Sequence, residues 1–132
     1  MKIAFVIFDG MVTMDFLGVY EAVTRLKTIG LRDDLEWDIC ALGDRVTDSV
    51  GSLSIIPTRV RPDLTEYDML VIPGGRVTPG IMENPQFMEW ITSAERTRTK
   101  VSVCNGALIM GAAGFLKGKK ATTHWRRLDI LE

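Results

Sequence analysis

Cys104 is the side chain of this sequence best suited to act as a nucleophile. It follows a short β-branched run, Val101-Ser-Val103. After it comes a small-residue stretch, with Gly106, Ala107, Gly111, Ala112, Ala113 and Gly114 interleaved with Leu108, Ile109 and Met110. The first part reads as a buried parallel strand and the second, to about Leu116, as a helix packed close on its neighbours. The cysteine therefore stands where a strand ends and a helix begins. Unpaired N–H groups of a helix's first turn favour the thiolate there, which is the reactive form. Gly106 lets other backbone approach. An inert core thiol is the plainer reading of the same stretch.

Three other positions bear on that sulfur. Gly74-Gly75 ends a strand and is a candidate oxyanion site, because glycine lets a peptide turn its N–H toward developing negative charge, together with the N–H of Asn105. Neither GxGxxG nor GxxxxGK[ST] occurs, which disfavours a phosphate cradle. Asp15 is the candidate acid/base: beside a thiolate in a poorly hydrated pocket, a carboxyl tends to hold a proton and can pass it on. Its plain alternative is a helix-start carboxylate, and Asp9 is a second carboxylate close by in sequence. His124, the one histidine, pairs with Cys104 as a base only if the two meet in space; otherwise it is structural beside Trp125. No His, Asp or Glu set has metal spacing.

The elements that must position these residues alternate between strand and helix. Lys2–Phe8 is a continuous apolar run, hence a strand buried on both faces, and Asp9-Gly10 breaks it. A helix is predicted from about Thr13 to Ile29, with Phe16, Leu17, Tyr20, Val23 and Leu26 at helical spacing and Gly30 as its stop. Leu35–Leu42 is a second strand with Cys40 as core filler. Short β segments follow at Arg45–Val50 and Leu53–Ile56, joined by Gly51-Ser52. Asp68–Pro73 is another buried strand. Pro85 opens a helix carrying Phe87, Met88 and Ile91, Lys119–His124 reads as a last strand, and Trp125–Glu132 as the start of a helix. This order implies an α/β fold, a three-layer, flavodoxin-like sandwich around a mainly parallel sheet. The loops at the carboxyl ends of such strands form the ligand crevice. Asp9–Asp15, Gly74-Gly75, Cys104-Asn105 and His124 all fall at those ends.

With 132 residues, 46% of them hydrophobic and 25% charged, the chain has room for one domain around one core. A net charge of −1, from 16 basic and 17 acidic residues scattered in sequence, gives no reason to expect nucleic acid or a lipid surface as partner. Residues 101–116 are uncharged but short for a membrane span. The amino-terminal apolar run is too short for a signal sequence. Two cysteines, Cys40 and Cys104, form neither a zinc spacing nor a disulfide framework, and a reducing cytoplasm is the expected compartment.

Ile72-Pro-Gly-Gly75, Pro79-Gly-Ile-Met-Glu-Asn-Pro-Gln-Phe87, Ser102-Val-Cys-Asn-Gly-Ala107 and Gly118-Lys-Lys-Ala-Thr-Thr-His-Trp125 together resemble the ThiJ/PfpI superfamily, relatives of the class I glutamine amidotransferases. The nearest branches are the isonitrile hydratases and the amidase-like domains of AraC-type regulators. The resemblance spans nearly the whole chain. It implies that Cys104 is an elbow nucleophile with a strained backbone, and that Asp15, in Met14-Asp-Phe-Leu-Gly18, hydrogen-bonds it. It further implies that Gly75 and Asn105 supply oxyanion amides, that no cofactor is needed, and that the protein is a homodimer acting on a small molecule. The activity implied is hydration of an isonitrile to an N-substituted formamide. A ligand-sensing domain of the regulator type is the alternative, as is a redox-sensing or deglycating thiol. Three departures stand out. Asn105 replaces the hydratases' usual Thr, Arg76 puts a charge after the glycines at the pocket mouth, and the family's C-terminal strand-and-helix elements are missing. The chain is therefore expected to be a single domain, residues 1–132, truncated at its C terminus.

Overall fold

Lys2–Val6 forms strand β1, and its residues Ile3 to Val6 have no exposed surface. The structure, a computed structural model, describes residues 1–76 and 79–131. β1 pairs in parallel with β2 (Glu36–Ala41) on one side and with β6 (Met69–Ile72) on the other. Both of its edges are thus hydrogen-bonded. That position explains why the run is apolar without alternation. β5 (Arg59–Val60) extends the sheet beyond β2, and β7 (Thr99–Ser102) lies outside β6. The order is β5-β2-β1-β6-β7, all parallel, and a two-stranded antiparallel pair, β3 (Val46–Thr47) with β4 (Ser54–Ile55), stands apart.

Helix α1 (Thr13–Thr28) covers one face of the sheet and α3 (Pro85–Thr92) the other. Phe5 packs edge-on against Phe16 and Tyr20 of α1, at centroid distances of 6.2 and 5.4 Å. Phe8, an odd number of residues along and so on the opposite face, meets Phe87 of α3 at 5.7 Å. α3 begins where the sequence places it: Asn84 Oδ1 accepts the Phe87 N–H at 3.1 Å, and Pro85 occupies the first turn. The expected three-layer, parallel, flavodoxin-like architecture is present.

Several boundaries differ from expectation. The hairpin is shorter than the segments at 45–50 and 53–56, and β5 appears where no strand was expected. Arg59 and Val60 are both exposed, so no burial pattern marks them; only pairing of Cys40 with Arg59 and Ala41 with Val60 makes a strand there. On α1, Leu17 and Leu26 lie at the rim, each nearly two-fifths exposed. The helix after Cys104, α4, spans Gly106–Ala112 and stops short of Leu116, with Gly114 at φ +79° closing it. Lys119–His124 is not a strand. Lys119, Lys120, Ala121 and Thr122 are exposed, and no neighbouring strand pairs with them. β7 is accordingly an edge rather than a central strand, and its four residues are only half-buried. The expected terminal helix is a 3₁₀ turn at Trp125–Arg127 followed by α5 (Leu128–Leu131), and Glu132 lies outside the described residues. α2 (Pro79–Met82) is a single turn before α3. Among the described residues, no helix is long and apolar enough to cross a membrane.

Candidate active site

The loops after β1 and β6 zip together at the carboxyl end of the sheet. Met11 and Gly75 form an antiparallel bridge, with Val12 N–H donating to Gly74 O and Arg76 N–H to Gly10 O, both at 3.0 Å. This brings the first turn of α1, and Asp15 with it, against Gly74. Asp9, the other carboxylate considered, points its Oδ1 at the Thr47 N–H (2.8 Å) and ties the hairpin to the end of β1.

On the third side, β7 pairing continues to Val103, whose N–H donates to Ile72 O at 3.0 Å. Cys104 follows with φ +53°, a left-handed conformation costly for a residue with a side chain. The Gly106 N–H then reaches back to Val103 O (2.9 Å), and α4 departs. A Cβ at position 106 would collide with the Ile72 carbonyl oxygen and lie 2.9 Å from that of Pro73. Only glycine lets α4 leave so close to β6.

Gly74 shows how tightly the pieces close. A methyl group there would fall 2.6 Å from Asp15 Oδ2, 2.7 Å from Cys104 Cβ and 2.8 Å from the Asn105 nitrogen. Carboxyl, sulfur-bearing carbon and amide thus converge on one point. Asn105 Nδ2 donates to Gly75 O at 3.2 Å, linking the elbow to the glycine loop. Three buried side-chain oxygens have no hydrogen-bond partner among the described residues: Asp15 Oδ2, Asn105 Oδ1 and, on the same turn of α1 as Asp15, Thr13 Oγ1. A buried unpaired polar atom costs roughly 1–3 kcal/mol, and all three lie on the segments that meet at the half-buried cysteine.

The thiol's acidity runs opposite to the expected direction. Burial pushes the Cys104 thiol above its ordinary range, and the nearby Asp15 carboxyl pushes the same way, whereas the Asn105 N–H pulls it down. The first turn of a seven-residue helix is outweighed by desolvation and a carboxylate. Asp15→Asn is expected to lower the midpoint of the pH dependence of Cys104 alkylation, because the neighbouring charge is removed. Iodoacetamide kinetics across pH measure it, and Cys40, which is fully buried with its thiol pushed up to about 11, stays silent. An unmoved midpoint, or a rise, would mean that Asp15 does not act on the sulfur as a carboxylate.

The remaining expected residues lie further out. Arg76 is exposed, its backbone held by Gly10. The His124 ring stacks on Trp125 at 5.8 Å, and its Nδ1 accepts the Arg126 N–H at 3.3 Å, capping the 3₁₀ turn; among the described residues it makes no hydrogen bond to Cys104. Thr123, which had no role in the sequence reading, donates its hydroxyl to Cys104 O at 3.1 Å. Only the neighbouring Thr-Thr-His motif hinted at it. Two hollows open elsewhere, one of 740 Å³ between α4 and α5 around Leu108, Gly111, Leu128 and Leu131, and one of 830 Å³ by Lys100 and Phe115. Neither includes Cys104. Among the described residues, no group of three His, Cys, Asp or Glu side chains is placed to hold a metal ion.

Known proteins resemble this chain in sequence and in fold. A family model described as the DJ-1/PfpI family matches residues 1–132. The isonitrile hydratase of Pseudomonas putida is 36% identical over 133 residues, covering 99% of this chain and 55% of the hydratase. The chain thus spans about half the length of that relative. A ThiJ/PfpI family protein from Pseudomonas syringae has a crystal structure that superposes with a TM-score of 0.85 at 32% identity, over 98% of this chain and 52% of that one. An AraC family transcriptional regulator from Pseudomonas putida shares the fold at a TM-score of 0.81 and 22% identity, over 98% of this chain and 70% of the regulator.

Proposed function

The chain belongs to the DJ-1/PfpI family, and from that premise we propose that it is a cysteine-dependent enzyme that hydrates a small carbon–nitrogen substrate, an isonitrile above all. The observation that carries the proposal is the convergence of Asp15 Oδ2, Cys104 Cβ and the Asn105 nitrogen within 2.8 Å of one point beside Gly74. The relative named an isonitrile hydratase supports the substrate class.

The chemistry follows from the pair. As the Cys104 sulfur attacks the terminal isonitrile carbon, its proton passes to the Asp15 carboxylate. Asp15 returns that proton to the carbon, leaving a thioformimidate, R–N=CH–S–Cys104. Water then adds to the same carbon, giving up one proton to Asp15, which passes it to the nitrogen. The resulting adduct, R–NH–CH(OH)–S–Cys104, collapses as the carbon–sulfur bond breaks and the hydroxyl proton returns to sulfur. The product is R–NH–CHO, one water added in all. The Asn105 N–H, and that of Gly75, which has no partner among the described residues, provide donors for charge that develops along the way.

Two further parts of the reading are the compartment and the assembly. Both cysteines are free, which suits a reducing cytoplasm. Met14 and Val50, each about three-quarters exposed, flank the contact of Ser49 N–H with Met11 O (2.8 Å), an apolar surface suited to pairing two copies; molar mass by light scattering tests that. For the reaction, incubation with an aryl isonitrile is expected to yield the formamide and, on acid quench, a thioformimidate mass on the Cys104 peptide. Neither product nor adduct would sink the proposal, and tight binding without either would assign the pocket to ligand sensing.

A further inference from the structure

We propose that Thr123 is a positioning residue that aims the Asn105 N–H at the reaction centre through the Cys104 carbonyl. Cys104 lies just before the N-cap, Asn105, so its carbonyl stands outside the helix's own hydrogen bonds: the Leu108 N–H donates to Asn105 O at 3.0 Å and the Gly106 N–H to Val103 O at 2.9 Å. Cys104 O is left to Thr123, whose hydroxyl donates to it at 3.1 Å. Thr123 lies on the segment after α4, nineteen residues from the elbow, and is half-buried, whereas Lys119–Thr122 before it are exposed. The chain is thus pinned to the elbow at this hydroxyl.

Peptide planarity turns that grip into function. Cys104 O and the Asn105 N–H belong to one trans peptide and point in opposite directions. Holding the oxygen toward Thr123 therefore holds the N–H toward the point it shares with Gly74, where Asp15 Oδ2 and Cys104 Cβ also meet. The left-handed φ of +53° at Cys104 makes this peptide costly to keep in place, and a hydrogen bond to its oxygen both opposes relaxation and polarises the N–H into a better donor. That N–H is the one group beside the sulfur that favours its ionised form.

The inference rests on the reading of Cys104 as nucleophile, but its test does not need turnover. Thr123→Val keeps the shape and removes the donor; Thr123→Ser restores it. In the full chain, the alkylation midpoint of Cys104 is expected to rise by about half to one pH unit in Thr123→Val and to return in Thr123→Ser, with thermal melting confirming that both are folded. A Val variant that is folded and has the wild-type profile overturns the proposal, as does a shift that Ser does not reverse. Should Thr123→Val not fold, Thr123→Ala is measured in its place under the same two criteria. Because the readout is alkylation, a failure to hydrate isonitriles would not be mistaken for failure here.

Discussion

Cys104→Gly is expected to be inert and yet more stable than Cys104→Ala, which is equally inert. At φ +53° a residue with a Cβ carries about 1–2 kcal/mol of backbone strain. Alanine keeps the Cβ and the strain; glycine removes both but brings roughly 0.5–1 kcal/mol of extra unfolded-chain entropy. The net advantage of Gly over Ala is thus between about 0 and 1.5 kcal/mol, a shift of up to several degrees in Tm for a domain of this size. Both variants lose the only half-buried thiol, since Cys40 is sealed in the core. Turnover should fall on the order of 10⁴-fold or more in each. Thermal melts and formamide production measure the two effects separately. Equal melting points would remove the strain, and retained turnover would remove the nucleophile.

That strain was not legible in residue type or spacing and was expected only from the family resemblance, whereas its setting was legible. A continuous run such as Ile3–Val6 can only be a strand covered on both faces, and a β-branched stretch that turns abruptly to glycine and alanine at Cys104 can only change element there. Convergence of Asp15, Gly74 and Cys104 followed from placing each at a strand's carboxyl end. Quantities that depend on competition between neighbours did not follow. Whether the thiol ionises is decided by burial and a carboxylate against one amide, and residue spacing does not weigh these. Lys119–His124 has strand-like residues, but strand propensity expresses itself only against a partner, and among the described residues the segment meets the elbow through the Thr123 hydroxyl. His124 shows the same limit: its ring is taken by Trp125 and Arg126, a preference fixed by packing. Asn105 was read as a lost hydroxyl, and in the structure its amide instead bridges the elbow to Gly75.

Gly74→Ala is expected to disable the site while leaving the sheet standing. The added methyl would sit 2.6 Å from Asp15 Oδ2, 2.7 Å from Cys104 Cβ and 2.8 Å from the Asn105 nitrogen, each well inside van der Waals contact. Two of these atoms are held by the elbow backbone, and the carboxylate is the end of a side chain that can swing. The least costly relaxation therefore moves Asp15 away and opens the glycine loop from the elbow. A displacement of about 1 Å between reacting groups costs on the order of 100-fold, and kcat/KM should fall at least that far. Losing its carboxylate neighbour, the thiol should alkylate at lower pH, as in Asp15→Asn, although turnover is poorer: a sulfur more readily ionised and yet less productive. Gly106→Ala forms the contrast, because its methyl meets the carbonyls of Ile72 and Pro73, backbone that cannot swing. There the loss should appear in stability, about 1–3 kcal/mol or more. If Gly74→Ala instead melts like Gly106→Ala, or keeps wild-type turnover, the three groups do not meet at Gly74 in the working protein.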